Sequence, residues 1–281
     1  VLANDLHCDT RVFTTFSEFR PFLEASFASW PAQLQEALRL IALHGIRDPI
    51  SDLRIPASEL ELRGDNYRET LSFNGILSRQ RAVYLLLRRL VEAGELPGYD
   101  HLRLYIPEAV TVMGMQIFDL IPNTITSEYL PDDSSEFSGR AIHQDLCALT
   151  LPDASRDLVI CNELFEHLYD LPAALGHMAR VLVHGGRLLG TFPFAFNRDT
   201  TITKALHRPE ADPELLAPAE LHGDPVNPGG GSLVYQIPGW DILDLARSAG
   251  FREVVIHWIA APSYGVVGAD LPAVLVLEAT R

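Results

Sequence analysis

Lysine is all but missing from this chain. Lys204 stands alone among 22 cationic residues, the other 21 being arginines, in a sequence of 281. Schiff-base or lysine-base chemistry would have to run through that one side chain. The arginine bias suggests a GC-rich bacterial genome. Cations of either kind are also scarce against 37 acidic residues, which leaves a net charge of −15. A surface that neutralises nucleic-acid phosphates needs clustered cations, so nucleic-acid binding is excluded as an expectation, and no polybasic membrane patch occurs. Cysteine is limited to Cys8, Cys147 and Cys161. Their spacing supports no disulfide framework, and a reducing cytoplasmic setting is expected. No apolar run approaches the ~18 residues of a membrane span. The opening VLANDLHCDTRVF lacks a basic stretch followed by an apolar one and does not read as a secretory leader. Its first residue is Val, as after processing or trimming.

What is present is ordinary core-forming material, 47% apolar and 21% charged. That composition rules out disorder, collagen and coiled coil. The length fits one large domain, or one domain with an appendage. Residues 1–98 read as a mostly helical appendage. Residues 32–44 (AQLQEALRLIALH) and 78–93 (SRQRAVYLLLRRLVEA) carry apolar positions at helical spacing, each stopped by a glycine. From residue 99 the pattern changes. Short apolar runs at 102–106, 124–127, 157–161 and 187–192 alternate with helical stretches near 111–120 and 172–183. Such alternation predicts a parallel sheet wrapped by helices. A helix over 240–248 leads to two β-rich runs, 253–259 and 273–279, too close together to pair in parallel. Residues 195–238 form an insertion rich in Pro, Gly and His, read as a loop without regular structure of the lid or binding kind.

The densest pattern lies in DLCALTLPDASRDLVICNELFEHLYDLPAALGHMARVLVHGGRLLGTFPF, residues 145–194. An acidic residue with Leu (Asp145-Leu146) precedes a Pro-containing loop and the strand Asp157-Leu158-Val159-Ile160. Then come Glu163 to Glu166-His167, Arg180-Val181-Leu182, the Gly185-Gly186 turn and Thr191-Phe192-Pro193. In order and spacing this resembles the class I S-adenosylmethionine (SAM)-dependent methyltransferases that act on small molecules. The resemblance is close over residues 101–194. It implies a Rossmann-like α/β sheet, parallel with one antiparallel C-terminal strand. It also implies an enzyme that uses SAM and releases S-adenosylhomocysteine (SAH). Arg180 and the glycine turn read as structural, a helix-end cation and a helix stop.

Ligands on an open parallel sheet bind beyond the carboxyl ends of its strands. Glu128, with Tyr129 beside it, follows the second such strand, where a carboxylate can accept from both ribose hydroxyls. Asp145 and Leu146 lie past the next strand, placed for the adenine amino group. Asn162 and Glu163 open the loop that would face the reactive methyl. Each carboxylate also has a plainer reading as a solvated loop residue or helix N-cap. The family's glycine-rich loop after its first strand is absent: residues 102–111 contain no glycine. Ala109 is small enough for close approach there, and Glu108 or Thr111 could meet the methionine part of the cofactor.

Methyltransferases with a similar Arg-Glu…Ser-Arg-x-Arg-Ala stretch can carry Cys-x-x-Cys pairs. Here Arg68-Glu69 and Ser78-Arg79-Gln80-Arg81-Ala82 remain, but Leu71 and Asn74 stand where a pair would be. A zinc site needs converging ligands, so no metal is expected and the N-terminal region reads as a cap over the active site. On the acceptor side, His222 with Asp224 in the insertion is the candidate base, with His167 of the E-H motif and His143 as further candidates. The expected function is methyl transfer to a small-molecule acceptor, at an oxygen of a natural product or sugar. Two alternatives stay open: a different reaction on the same fold, such as a cyclisation or rearrangement, and a non-catalytic binding role. The sequence sets neither the acceptor nor the oligomeric state.

Overall fold

The computed structural model describes residues 8–130 and 141–281. Most of the opening segment read above for a leader therefore lies outside the described residues. Seven strands share one sheet. In chain order they are β1 (Asp9–Phe13), β2 (Leu104–Ile106), β3 (Thr124–Thr126), β4 (Arg156–Asn162), β5 (Leu182–Thr191), β6 (Glu253–Ala260) and β7 (Val274–Thr280). Their order across the sheet is β1-β6-β7-β5-β4-β2-β3. The main helices are α1 (Phe16–Ser26), α2 (Trp30–His44), α3 (Ser78–Glu92), α4 (Val112–Leu120), α5 (Leu171–Val181) and α6 (Ile242–Ser248). Contacts divide the chain into two compact units, residues 97–254 with 278–281 and residues 1–96 with 255–277.

In the first of these units β3, β2, β4 and β5 are mutually parallel. Residues Leu158 to Cys161 of β4 are wholly buried, as expected of a strand covered on both faces. Helix α5 starts at Asp170, whose carboxylate accepts from Ala173 N at 3.0 Å. It buries Leu171, Ala174, Leu175 and Met178, one stripe at helical spacing. The end of β7 runs against β5. Arg281 exchanges backbone hydrogen bonds with Gly185 and Gly186, and Gly185 takes φ +81°, which favours glycine. This is the antiparallel C-terminal strand that the sequence implied. Beyond β3, among the described residues, a parallel bridge links Glu128 and His143.

The insertion is not irregular throughout. It contains three short antiparallel pairs: Ile202–Thr203 with Gln236–Ile237, Ala205–Leu206 with Glu214–Leu215, and Leu221–His222 with Ser232–Leu233. Strands of two residues are too short to show a period in sequence.

The other unit packs α2 through Leu34, Ala37 and Ile41 against Ile46, Ile55, Leu71 and Val267. It also holds strand β1, which pairs antiparallel with β6 from Asp9↔Ala260 to Phe13↔Ile256, and helix α1. The sequence signalled neither. The Ser-Arg-x-Arg-Ala remnant does structural duty here. Ser78 Oγ donates to Val267 O at 2.6 Å and accepts from Val267 N at 2.9 Å. Arg81, 1% exposed, donates to the carbonyls of Leu71, Ile76 and Gly265. Burial pushes its guanidinium down to about 10.

Candidate active site

The chemistry-bearing residues gather beyond the carboxyl ends of β2 to β5, all within one unit. The glycine-free turn after β2 lies against the end of β3. Ala109 N donates to Ser127 O at 3.0 Å, and Val110 N to Glu128 Oε2 at 3.3 Å. Glu108 is 3% exposed, and its Oε1 accepts from the backbone N (2.8 Å) and Nδ2 (2.9 Å) of Asn162. Asn162, also 3% exposed, accepts on Oδ1 from Thr191 Oγ1 at 3.2 Å. Glu108 and Asn162 thus tie the loops after β2 and β4 to the end of β5. Thr111 caps α4, accepting from Gly114 N at 3.0 Å and donating to Glu108 O at 3.0 Å. A Cβ at Gly114 would sit 1.8 Å from Glu108 O. The third residue of the helix therefore has to be glycine for α4 to pack against the turn after β2.

Glu128 stands at the tip of β3, half-buried. Desolvation, with the nearby charge of Asp224, pushes its carboxyl up to about 7, against the hydrogen bond from Val110. Across the bridge at His143, Asp145 accepts from Cys147 N (2.8 Å) and from Tyr169 Oη (2.7 Å), and Leu146 beside it is buried. Tyr129 is 54% exposed, its ring 5.7 Å from that of His143. His143 Nδ1 accepts from Leu130 N at 2.9 Å. Glu163 opens the loop after β4 with φ +50°, a left-handed conformation unusual for a residue with a side chain, held by its N–H on Thr191 O at 2.7 Å.

The insertion clamps the E-H turn. Tyr235 N donates to Glu166 O at 2.7 Å, and Gln236 Nε2 donates to the carbonyls of Phe165 (2.6 Å) and Leu168 (2.8 Å). This brings His222 beside His167, their rings edge to face at 5.0 Å, with the Glu166 carboxylate between them. Asp224 is not the partner of His222. Its carboxylate accepts from Val226 N and Ser232 Oγ, both at 2.8 Å. The acidic groups facing His222 are Glu166, 3.6 Å from Nδ1, and Glu220, 3.1 Å from Nε2, and they raise its basicity. Lys204 in turn pairs with Glu220 and holds that carboxylate below its usual range. Glu166 and Glu220 were not singled out from sequence. Glu166 was visible there only as a letter of the E-H motif, and Glu220 had no motif.

Residues 114–190 match the family model described as a methyltransferase domain. No curated protein matches the chain. Several solved structures are similar at low identity. A SAM-dependent methyltransferase from Mesorhizobium loti is 13% identical, covering 73% of this chain and 98% of its own, with a TM-score of 0.43. The 1,6-didemethyltoxoflavin-N1-methyltransferase of Burkholderia thailandensis, crystallised with 1,6-didemethyltoxoflavin and SAH, is 16% identical over 69% and 75%, TM-score 0.38. The [4+2]-cyclase SpnF is 13% identical over 72% and 83%, TM-score 0.42. The matched segment spans α4 to β5, and over that stretch the chain is similar to a methyltransferase domain.

Proposed function

We propose that this protein transfers the methyl group of SAM to an oxygen of a small-molecule acceptor, a natural product or sugar. The observation that carries the reading is the half-buried carboxylate of Glu128 at the tip of β3, beside the loop after β2. Its two oxygens suit a vicinal diol, and the donor set around it suits a nucleoside. Asp145 and Leu146 would hold the adenine and Glu128 the ribose. Ala109 and Glu163 border the methionine end, while Glu108, Thr111 and Asn162 keep the surrounding loops in place. The bound cofactor supplies an electrophilic methyl on a sulfonium, open to in-line displacement.

The chain's own task is then alignment, together with accommodation of the proton that a hydroxyl loses. The Glu166–His167–His222 cluster, which the loop after β4 and the insertion form together, is assigned that second task. An oxygen acceptor fits such a cluster better than an amine, which attacks as the neutral base and needs less help. The test is transfer of label from methyl-labelled SAM to a panel of hydroxyl and amine acceptors. Labelled ether products are expected, with turnover in His222→Ala reduced ~10²–10⁴-fold and SAH affinity nearly intact. A second reading, another reaction on the same fold, draws on the glycine-free turn whose side chains serve the scaffold. SAH binding without methyl transfer to any acceptor would favour it.

A further inference from the structure

The E-H turn and the insertion bring three ligand-type atoms together around a buried carboxylate. Glu166 has no exposed surface, and neither of its oxygens has a hydrogen-bond partner among the described residues. Facing Oε1, each at 3.6 Å, are Nε2 of His167 and Nδ1 of His222. The far side of each ring is already fixed. His167 Nδ1 lies 2.8 Å from the carbonyl oxygen of Leu233, which can only accept, so Nδ1 carries the proton and Nε2 presents its lone pair. His222 Nε2 lies 3.1 Å from Glu220 Oε1, so its proton points there and Nδ1 presents its lone pair. In the neutral imidazoles two lone pairs and the carboxylate thus converge, and a bound cation would displace any proton held among them. An anion stripped of water and left without hydrogen bonds is costly, and a cation among these three groups removes that cost.

We propose that Glu166, His167 and His222 bind a divalent cation of the zinc type. The donor set is the two-histidine, one-carboxylate kind, and the ligand atoms all lie within 4.8 Å of one another. Metal bonds of ~2.1 Å at a tetrahedral angle place ligand atoms ~3.4 Å apart, close to the 3.6 Å from Glu166 to each histidine. The outer partners also match. Histidine ligands typically donate their second N–H to a backbone carbonyl or a carboxylate, as Leu233 and Glu220 accept here. Glu220 is itself paired with Lys204, so the single lysine steadies one of these outer partners. Three protein ligands leave a fourth position for water or for an acceptor oxygen, whose hydroxyl such a cation would acidify. That last use rests on the methyl-transfer reading; the binding itself does not.

The experiment strips the purified full chain with a chelator and titrates it with Co²⁺, reading visible absorption, then displaces Co²⁺ with Zn²⁺. No SAM or acceptor is present, so a failure here leaves the cofactor assignment standing. One equivalent of Co²⁺ with intense tetrahedral-type bands is expected. Loss of an outer partner alone typically weakens metal sites ~10–100-fold. Glu166→Gln and His222→Ala should therefore each weaken binding at least ~10²-fold. His184→Ala, which removes an exposed histidine outside the cluster, should leave binding unchanged. His222 is half-buried on a two-residue strand, so its variant keeps the test decisive if Glu166→Gln does not fold. No saturable binding, or binding that His222→Ala leaves intact, would overturn the site and assign the cluster a bound proton instead.

Discussion

At the scale of single residues, Glu128 ties the cofactor reading to pH. Its carboxyl sits at about 7 because burial and Asp224 disfavour its charge; among the described residues Tyr105 also lies within electrostatic reach. A vicinal diol needs the ionised form as acceptor. SAH affinity should therefore rise as pH increases through about 7 and level off above it. The free protein should respond in the opposite sense. Between the ordinary carboxyl value of ~4.3 and about 7, the folded chain holds a proton that the unfolded chain has lost, so stability falls as pH rises through that window. Glu128→Gln should remove both effects, melting above wild type at pH 8 while binding SAH more weakly. Asp224→Asn should move the binding midpoint to lower pH. Melting curves and SAH titrations at several pH values check this, and a flat wild-type profile would contradict it. The sequence placed His222 and Asp224 two positions apart and suggested a pair. The fold separates them because Asp224 bonds Val226 N within its own turn.

At the scale of elements, two contacts decide whether the supports hold. Helix α4 reaches the turn after β2 only because Gly114 has no side chain. Gly114→Ala must push the helix off Glu108 O, and it should cost ~1–3 kcal/mol and weaken SAH binding as well. Urea unfolding together with calorimetry reads both, and a variant unchanged in either would show the approach to be incidental. In the other unit, Arg81→Ala leaves the carbonyls of Leu71, Ile76 and Gly265 without their charged donor. It should cost about 3–5 kcal/mol in urea unfolding, with Arg81→Lys recovering little, because an ammonium cannot fork to three acceptors. Most elements were legible in sequence for local reasons. Strands β2 to β7 are short apolar runs, and α2, α3 and α5 carry long apolar stripes. Strand β1 was not legible, since four of its five residues are exposed and its pairing with β6 is non-local. Helix α1 carries Pro21 in its interior, which weakens the helical signal.

At the scale of the molecule, the candidate ligand groups lie on loops held by a parallel sheet, so the places of Glu128 and Asp145 follow from motif order while the grouping of the acceptor-side cluster does not. Glu128 and Asp145 follow strands whose positions the local pattern gives. The Glu166–His167–His222 cluster exists only because strand pairs of two residues fold the insertion back onto the E-H turn. Hydrogen exchange on adding SAH should show protection centred on residues 105–112, 127–130 and 145–147. Protection mainly within 1–98 would reverse the assignment of the cofactor to the sheet's carboxyl end. The most direct test of the central claim is a calorimetric titration of SAH into wild type and Glu128→Ala. Losing a charged contact to two hydroxyls should cost ~2–3 kcal/mol. The account therefore expects saturable binding to wild type, weakened at least ~10-fold by the substitution; no binding to wild type, or equal affinity in the two proteins, would contradict it.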